Sequence, residues 1–523
     1  MRDTLLEQKT LWGFVDEAVK RRGESPLWVQ RLPRGARRTV SYAEIGRWAT
    51  AVSRRLREAG VGQGDVVAIL APNGPEWGAA AFGAWRLGAV IAPVHTASSD
   101  EELRIHHDAL APKCTLFAGR DRGLPGTVEI TSAEDGRGDR DEADMAADLD
   151  PHQEAARIYT SGSTANPKIV RLSHHNILSN LRGAARLDIP ISHKDRFLSL
   201  LPLSHAMELT GGLLLPMYHG ATIVIPRLIA ADEILKAMSE EKITLMLAVP
   251  RLFRNIMLGM EKKLAGAGPA LKAYVELVRR SPPWLARIIN APLRRRLGGH
   301  VHCWLSGGSR LDPEIARYFR SLGFPLIQGY GLTECGPVVS VQSMRDRRLD
   351  SVGEPLDGTE VRIDRPNEYG EGELWVRGGN VMLGYADETQ TAAAMRDGWY
   401  NTGDIARLVE GRKILLTGRS KRVIVTEAGK NVYPEDIEIM LEKHPMLKEA
   451  GVIELDTAPA ALLAVDGPGE ADKAREIIKD YNRRASSYNR ITRFAVVNEL
   501  PRTALGKVSL KDLPRIFPEH EVT

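Results

Sequence analysis

The chain has few cysteines, little net charge and no long apolar run, and each shortage argues against a class of protein. Its three cysteines, Cys114, Cys303 and Cys335, lie far apart, so they imply neither a disulfide framework nor a metal-binding spacing. A net charge of +4 over 523 residues gives no reason to expect nucleic-acid binding. The most apolar later stretch, residues 209–226, is interrupted by glycine, proline and histidine, so it makes a poor transmembrane helix.

The N-terminal segment and the size of the chain give two further expectations. The first residues include acidic side chains and lack the apolar core of a signal peptide. Together with the cysteine usage, this predicts a cytoplasmic protein. A chain of 523 residues exceeds a single ordinary core, so we expect two or more domains.

The order of apolar runs predicts an α/β protein. Short apolar runs beginning near Asp65 and Ala89 flank an Ala-rich helical segment, which is a βαβ rhythm. Ser41 followed by Glu44 predicts a capped helix start. After about residue 340 the runs become shorter and alternate, as in antiparallel sheets. The last hundred residues or so have the size of a small separate domain.

One stretch, Ile158–Lys168, has the composition of a phosphate-binding loop. Small and hydroxyl-bearing residues run from Thr160 to Thr164, and Lys168 follows a proline. A polyphosphate requires backbone N–H groups at close range, hydroxyls and a cation, and Gly162 permits the close approach. The pattern lacks the Gly-Lys-Ser/Thr of a nucleotide P-loop. The alternative is a Ser/Thr-rich surface turn.

Four more stretches accompany this loop along the chain. They are residues 328–334 (Gln-Gly-Tyr-Gly-Leu-Thr-Glu), 400–404 (Tyr-Asn-Thr-Gly-Asp), 418–421 (Gly-Arg-Ser-Lys) with 429–438 (Gly-Lys-Asn-Val-Tyr-Pro-Glu-Asp-Ile-Glu), and 501–507 (Pro-Arg-Thr-Ala-Leu-Gly-Lys). In kind, order and spacing the five stretches resemble the adenylate-forming synthetases, most closely the fatty acyl-CoA synthetases. This resemblance extends from about residue 10 to the end of the chain.

The resemblance implies a fold. We expect a large N-terminal adenylation domain, residues 1–418, built of βαβ-type layered sheets with a β-barrel-like subdomain. A small mobile α+β domain, residues 419–523, would follow and carry the catalytic lysine, with a hinge near Lys421. Rotation about this hinge would exchange Lys507 for the face that accepts the thiol.

The resemblance also implies ATP, Mg²⁺ and CoA as the small molecules of the reaction. Residues expected to bind the nucleotide are Thr160, Ser161, Gly162, Ser163, Thr164, Lys168, Gly307, Gly308, Gln328, Tyr330, Gly331, Asp404, Arg419 and Lys421. Residues expected to take part in catalysis are Lys507, His205, Thr333 and Glu334. Glu334 and Thr164 are the expected Mg²⁺ ligands, because this hard cation prefers oxygen. Lys507 would stabilise the charge that develops between the acid and the α-phosphate.

The acid and the acceptor are less closely defined. His205 lies in a segment that resembles the family's acyl pocket, and the apolar residues after it suit an alkyl chain or an ordinary core. Residues 262–296 mix arginine with aromatic and aliphatic side chains, which suits peripheral contact with an anionic membrane surface or a solvated helical hairpin. We therefore expect a medium- or long-chain fatty acid as the substrate.

Several residues depart from the family pattern. Ala165 and Ile169 replace usual glycines, Arg422 follows the hinge where an acidic residue is common, and residues 451–470 form a short block on the expected thiol-accepting face. Two alternatives to a CoA ligase therefore remain. One loads the phosphopantetheine of a carrier protein, and the other is a catalytically weakened relative that binds nucleotide or acyl-AMP.

Overall fold

The computed structural model of the chain describes residues 3–130, 149–160, 168–296, 298–426, 431–465, 469–502 and 508–522. The chain forms two compact units. The first consists of Met1–Tyr159, Ile169–Glu360 and Val376–Gly398, and the second of Thr160–Lys168, Val361–Trp375 and Trp399–Thr523. The domain boundary predicted after residue 418 falls inside the second unit and stays a prediction.

Strands and helices alternate through most of the chain. The strands are β1 (Pro26–Arg31), β2 (Arg37–Ser41), β3 (Val66–Leu70), β4 (Val90–Pro93), β5 (Cys114–Phe117), β6 (Thr127–Glu129), β7 (Glu154–Thr160), β8 (Lys168–Ser173), β9 (Arg196–Leu198), β10 (Thr222–Ile225), β11 (Leu245–Ala248), β12 (Cys303–Ser306), β13 (Leu326–Gly331), β14 (Val338–Val341), β15 (Glu354–Pro355), β16 (Thr359–Asp364), β17 (Gly372–Gly378), β18 (Gly384–Tyr385), β19 (Met395–Arg396), β20 (Trp399–Val409), β21 (Lys413–Arg419), β22 (Ile424–Val425), β23 (Asn431–Val432), β24 (Leu447–Leu455), β25 (Ala458–Val465) and β26 (Arg493–Val497).

The helices begin near the N-terminus and continue to the last described residues. They are α1 (Thr4–Glu7), α2 (Leu11–Arg22), α3 (Tyr42–Glu58), α4 (Pro75–Arg86), α5 (Asp100–Leu110), α6 (His174–Ala185), α7 (Leu215–His219), α8 (Ala231–Glu240), α9 (Pro250–Ala265), α10 (Pro269–Arg280), α11 (Pro283–Ile289), α12 (Ala291–Arg296), α13 (Pro313–Ser321), α14 (Glu388–Ala394), α15 (Pro434–Leu441), α16 (Glu470–Arg484) and α17 (Leu513–His520). A π-helical segment, Glu208–Leu214, precedes α7. Among the described residues, no helix is both long and apolar enough to cross a membrane.

Two mixed sheets form the core of the first unit. One has nine strands in the order β15-β14-β13-β12-β11-β9-β10-β1-β2, and the other has seven in the order β18-β8-β7-β4-β3-β5-β6. The central strands of the larger sheet, from β13 to β1, are parallel. All five residues of β3 are buried, as expected when helices cover both faces of a sheet. The predicted cap of α3 is confirmed, because Ser41 and Glu44 form a reciprocal capping box.

The second unit contains antiparallel structure and a small α+β module. Strands β20 and β21 pair from Asp404 with Arg419 to Val409 with Lys413. Near the C-terminus, β24, β25 and β26 form a three-stranded sheet. Alternate residues of β25 pack on opposite faces, with Leu463 in the cluster that includes α15 and α16 and Leu462 in the cluster that includes α17. The predicted mixed α/β class is confirmed.

Candidate active site

The carboxyl ends of the parallel strands β11, β12 and β13 lie along one edge of the nine-stranded sheet, where open α/β sheets bind their ligands. Ser306, the last residue of β12, is in register with Gln328 of β13. The glycine turn, Gly307–Gly308, therefore starts next to Gln328. Gly308 has a φ of +86°, and a Cβ at Gly307 would lie 2.6 Å from the Met207 sulfur. The backbone conformation at Gly308 favours glycine, and a side chain at position 307 would have to displace Met207.

Strand β13 brings Gln328 and Tyr330 to this edge, but their side chains are largely occupied or covered. The Gln328 amide donates hydrogen bonds of 2.9 Å to the carbonyl oxygens of Leu349 and Ser351. Its two donors are thus used inside the protein. Tyr330 is buried, so only a small part of its ring could contact adenine. The nucleotide roles of both residues stay predictions.

A tight loop after β13 presents Thr333 and Glu334. A Cβ at Gly331 would lie 2.0 Å from the Pro337 carbonyl oxygen, so glycine allows the chain to turn back on itself here. Thr333 and Glu334 are half-buried and form a short 3₁₀ helix. The Tyr385 hydroxyl donates to Glu334 Oε1 at 2.9 Å, and the Glu334 carbonyl accepts from the Met382 N–H at 2.9 Å. The bond from Tyr385 orients the carboxylate, and the bond from Met382 holds the backbone that carries it.

His205 approaches the same edge on a bend that we define as residues 199–208. The His205 N–H donates to the Pro202 carbonyl at 2.9 Å, and its half-buried ring lies edge-on to the ring of His95 with centroids 6.0 Å apart. Met207, two residues later, contacts the glycine turn. The structure therefore brings the predicted acyl segment and the Gly307–Gly308 turn together within the first unit.

Sequence reasoning missed Glu208, which follows on the same bend. Its side chain is 1% exposed, and the Ser199 hydroxyl donates to Glu208 Oε1 at 2.6 Å. Burial raises the pKa of Glu208 to about 8, although hydrogen bonds from Ser199 and from the Leu201 backbone act to lower it. A lone carboxylate in an apolar run that continues into Gly211 and Gly212 is the signal that could have identified it.

In the second unit, Thr160 and Lys168 lie at the two ends of the predicted phosphate loop. The Thr160 hydroxyl donates to the Lys168 carbonyl at 3.5 Å, so the strand ends on either side of the loop are adjacent. Ser161, Gly162, Ser163 and Thr164 lie outside the described residues, as does Ala165, and their roles stay predictions.

Ile169, the other departure at this loop, belongs to the core of the first unit. Its side chain is buried in the cluster that includes Ala68 and Val90. Its carbonyl accepts a hydrogen bond of 2.9 Å from the Ala386 N–H. The substitution of a usual glycine at this position therefore adds apolar packing.

Asp404 and Arg419 face each other across β20 and β21. Their Cα atoms are in register, and Arg419 Nε lies 3.1 Å from Asp404 Oδ1. Asp404 is buried whereas the Arg419 side chain is 63% exposed. This pair can present a carboxylate and a guanidinium to the same ligand. Lys421, the predicted hinge, is exposed two residues beyond β21.

Arg422, which departs from the family pattern, forms an ion-pair cluster inside the second unit. Its guanidinium donates to Glu435 Oε1 at 2.9 Å and to Glu438 Oε1 at 2.6 Å. It also donates to the Val452 carbonyl at 3.1 Å. Burial raises the pKa of Glu438, and Arg422 partly offsets that shift. The positive charge that Arg422 brings to this position is therefore paired with acidic side chains of α15.

Lys507 lies outside the described residues, and its catalytic role stays a prediction. The residues that flank this segment, Arg502 and Val508, form an antiparallel bridge. The Arg502 guanidinium donates to Glu449 Oε2 at 2.6 Å.

A magnesium site would rely on Glu334 more than on a cluster of protein ligands. In the part of the chain that the structure describes, no group of three or more His, Cys, Asp or Glu side chains could hold a metal ion. Mg²⁺ commonly binds through one or two carboxylates together with substrate phosphates and water. A single oriented carboxylate at Glu334 fits this mode, in which the nucleotide supplies the remaining oxygens.

The fold belongs to the adenylate-forming synthetases. A structure of O-succinylbenzoate CoA synthetase from Bacillus subtilis, in complex with ATP and a magnesium ion, matches with a TM-score of 0.77 and 24% identity. The match covers 96% of this chain and 98% of that one. The architecture therefore agrees with the expected pairing of a large N-terminal and a small C-terminal domain.

The sequence places the chain within this class. A family model described as AMP-binding enzyme matches residues 15–386, and the chain belongs to this family. A long-chain-fatty-acid–CoA ligase from Mycobacterium bovis is 30% identical over 84% of this chain and 79% of its own length. A feruloyl-CoA synthase from Amycolatopsis is 27% identical over 91% of this chain and 94% of its own. The chain is an acid–thiol ligase of the acyl-CoA ligase type.

Proposed function

We propose that this ligase activates a medium- or long-chain fatty acid with ATP to acyl-AMP and pyrophosphate, and then transfers the acyl group from AMP to the thiol of CoA, giving acyl-CoA and AMP. The observation that carries the proposal is the 30% identity, over 84% of the chain, to a relative named as a long-chain-fatty-acid–CoA ligase. The apolar segment after His205 supports it, because Leu209, Leu213 and Leu214 are buried next to the bend. An alkyl chain requires such surroundings.

The site residues would divide the chemistry between them. His205 would lie beside the carboxylate of the acid, and Thr333 would donate to the α-phosphate. Glu334 would hold Mg²⁺, which neutralises charge on the phosphates as the acid oxygen attacks. Asp404 and Arg419 would bind the ribose, and Lys507 would stabilise the charge at the α-phosphorus. The hydroxyls and N–H groups of Thr160–Lys168 would bind the outer phosphates.

Exchange of labelled pyrophosphate into ATP, measured over a series of acids, tests this proposal. Alkyl acids of increasing length should support exchange better than ferulate, 2-succinylbenzoate or indoleacetate. An aromatic acid that supports the fastest exchange would overturn the fatty-acid assignment. If none of the tested acids supports exchange, the result would favour the catalytically weakened relative.

CoA is the acceptor that we propose, with a carrier-protein phosphopantetheine as the variant to exclude. Residues 451–470, the short block on the expected thiol-accepting face, include a tight hairpin. Asp456 and Thr457 join β24 to β25 there, with φ of 50° and 56°. Two such residues suit a type I′ turn. Thioester formation should be faster with CoA than with a phosphopantetheinylated carrier protein. The opposite preference would assign the alternative function.

We also propose that the α9–α12 region contacts an anionic membrane surface from which the fatty acid is drawn. Residues 250–296 contain 11 Lys and Arg against 2 Glu, a net charge of +9, although the whole chain carries +4. Trp284 and Ile288, one helical turn apart on α11, are 67% and 65% exposed. Exposed aromatic and aliphatic side chains amid positive charge suit the bilayer interface.

Sedimentation with phosphatidylserine vesicles tests the membrane contact. Trp284→Ala with Ile288→Ala should reduce binding several-fold and leave exchange with a short soluble acid unchanged. Tyr369→Ala is the matched control, since Tyr369 is 66% exposed but lies in the second unit. Two results would contradict this part of the proposal. One is that the wild-type protein binds neutral and anionic vesicles equally, and the other is that the double variant and Tyr369→Ala bind anionic vesicles equally.

A further inference from the structure

Glu208 is a fully buried carboxyl group at the start of the π-helical segment, three residues after His205. Its side chain is 1% exposed, and burial makes the charged form of a carboxyl group costly. Glu208 Oε2 has no hydrogen-bond partner within the described ranges. Short π-helical segments frequently occur at functional sites. The position therefore calls for a role beyond packing.

A chain of hydrogen bonds links Glu208 to a distant turn of the first unit. The Asn73 amide donates to the Ser199 hydroxyl at 2.9 Å and to the Leu201 carbonyl at 2.6 Å. Ser199 in turn donates to Glu208 Oε1. Asn73 Oδ1 accepts from the Leu203 N–H at 2.8 Å. Three points along the bend are thus connected to Asn73 and Glu208.

The backbone around Glu208 leaves room for this carboxyl group. A Cβ at Gly212 would lie 2.4 Å from the Glu208 carboxyl carbon, so glycine at this position is required by the carboxyl group. Met207, the preceding residue, contacts Gly307 of the glycine turn. A shift of Glu208 would therefore move both the His205 bend and its contact with that turn.

We propose that Glu208 is a positioning residue that fixes the 199–208 bend, and with it His205, beside the carboxylate of the acid. The proposal rests on the placement of the acid at His205 in the proposed function. It assigns to Glu208 no contact with reacting atoms.

The carboxyl group acts in its neutral form. The substrate carboxylate is anionic, so a second negative charge on the bend would oppose its binding. Burial raises the pKa of Glu208 to about 8, which keeps the group neutral at pH 7. Ionisation at higher pH places an unpaired charge in the core and weakens binding of the acid.

Other titratable groups near the bend do not account for this behaviour. The π-helical segment packs against α6 and α7, which carry His174, His175, Arg182, Tyr218 and His219. His205 lies on the bend, and His95 packs against it. The causes of the Glu208 shift are burial and the hydrogen bonds of Ser199 and Leu201, and none of these other groups is among them. They are all retained when Glu208 alone is changed.

The pH dependence of the KM for the acid, measured by pyrophosphate exchange, tests the proposal. In the wild-type protein this KM should rise about fivefold between pH 8 and pH 9, as the neutral fraction falls. Glu208→Gln keeps a neutral group of the same shape, so its KM should be close to the wild-type value at pH 7 and should not show this rise. Glu208→Ala should raise the KM at least tenfold at all pH values, with little effect on the KM for ATP.

Hydrogen exchange in the bend gives a second measurement that needs no acid. Amides between Ser199 and Glu208 should exchange faster in Glu208→Ala than in the wild-type protein, and Glu208→Gln should preserve their protection. A Glu208→Gln profile that rises with pH as the wild type does, or unchanged protection and KM in Glu208→Ala, would overturn the proposal. If alkyl acids do not support exchange but another acid does, the kinetic comparison uses that acid. The fatty-acid assignment can then fail while the positioning role of Glu208 is still tested.

Discussion

Replacing Arg422 by Met should destabilise the C-terminal part of the second unit by several kcal/mol. The substitution keeps an unbranched side chain but removes the cation from a cluster in which Glu435 and Glu438 each accept a hydrogen bond. The three side chains of the cluster are only 16–20% exposed, and removing one member of a largely buried ion pair leaves the other charge unpaired, at a cost of about 3–5 kcal/mol. That loss corresponds to an increase of about a hundredfold to a few thousandfold in the equilibrium constant for local unfolding of this part of the chain.

The loss should also depend on pH, with a sign that follows from Glu438. Burial holds the pKa of Glu438 above its ordinary value in the folded protein, so the folded state retains that proton more strongly than the unfolded state. The stability contributed by the protonated group declines as the pH rises through the folded pKa. Without Arg422 the pKa rises further. The stability difference between Arg422→Met and the wild-type protein should therefore be smallest near pH 5 and increase towards pH 8.

Hydrogen exchange of the full-length chain can measure this loss locally. Protection factors of amides in α15 and β24 should fall a hundredfold or more at pH 7 in Arg422→Met. Arg475→Met is the matched control, because the Arg475 side chain is 51% exposed and its pair with Asp472 should contribute under about 1 kcal/mol. Equal protection in both variants, or a difference that grows towards pH 5, would refute the reasoning.

Three other substitutions test the site. Lys507→Ala should abolish acid-dependent pyrophosphate exchange yet retain thioester formation from supplied acyl-AMP; loss of both activities would contradict the rotating-domain account. Gly307→Ala should reduce exchange about tenfold or more, because the new Cβ would meet the Met207 sulfur at 2.6 Å, and Met207→Ala should restore part of it. Gly212→Ala should destabilise the protein by about 1–3 kcal/mol through overpacking, as measured by urea unfolding, and a Glu208→Ala background should remove most of that loss.

Local patterns in the sequence predicted the elements that depend on local physics. A capped helix at Ser41 and a strand that ends in a glycine turn at Gly307 are set by neighbouring residues, and both are present. Asp404 and Arg419 were each predicted to bind the nucleotide, but their ion pair depends on the register of β20 with β21. That register is set by pairing across the sheet, which a one-dimensional pattern does not contain.

The residues that depart from the family pattern gave the alternative of a catalytically weakened relative. For Ile169 and Arg422, which the structure describes, the contacts show packing and ion pairs instead. Ile169 replaces a usual glycine, and its side chain packs in the core beside β3 and β4. The sequence pattern did not predict a role for Glu208. Its burial, and the hydrogen bond from Asn73 to its partner Ser199, arise from contacts across the fold, so only a carboxylate inside an apolar run could have indicated it.

Arg422, which departs from the family pattern, pairs with two glutamates of a stretch that matches that pattern. The stretch Gly429–Glu438 supported the family resemblance, whereas Arg422 counted against it. The structure connects the two, because both carboxylates that bind Arg422 come from the first turns of α15. Arg422 and its partners all lie C-terminal to the predicted hinge at Lys421, so a rotation there would carry them as one body and leave their ion pairs intact. The change of charge at position 422 is therefore compatible with a mobile C-terminal domain, and it supplies a largely buried contact within that domain.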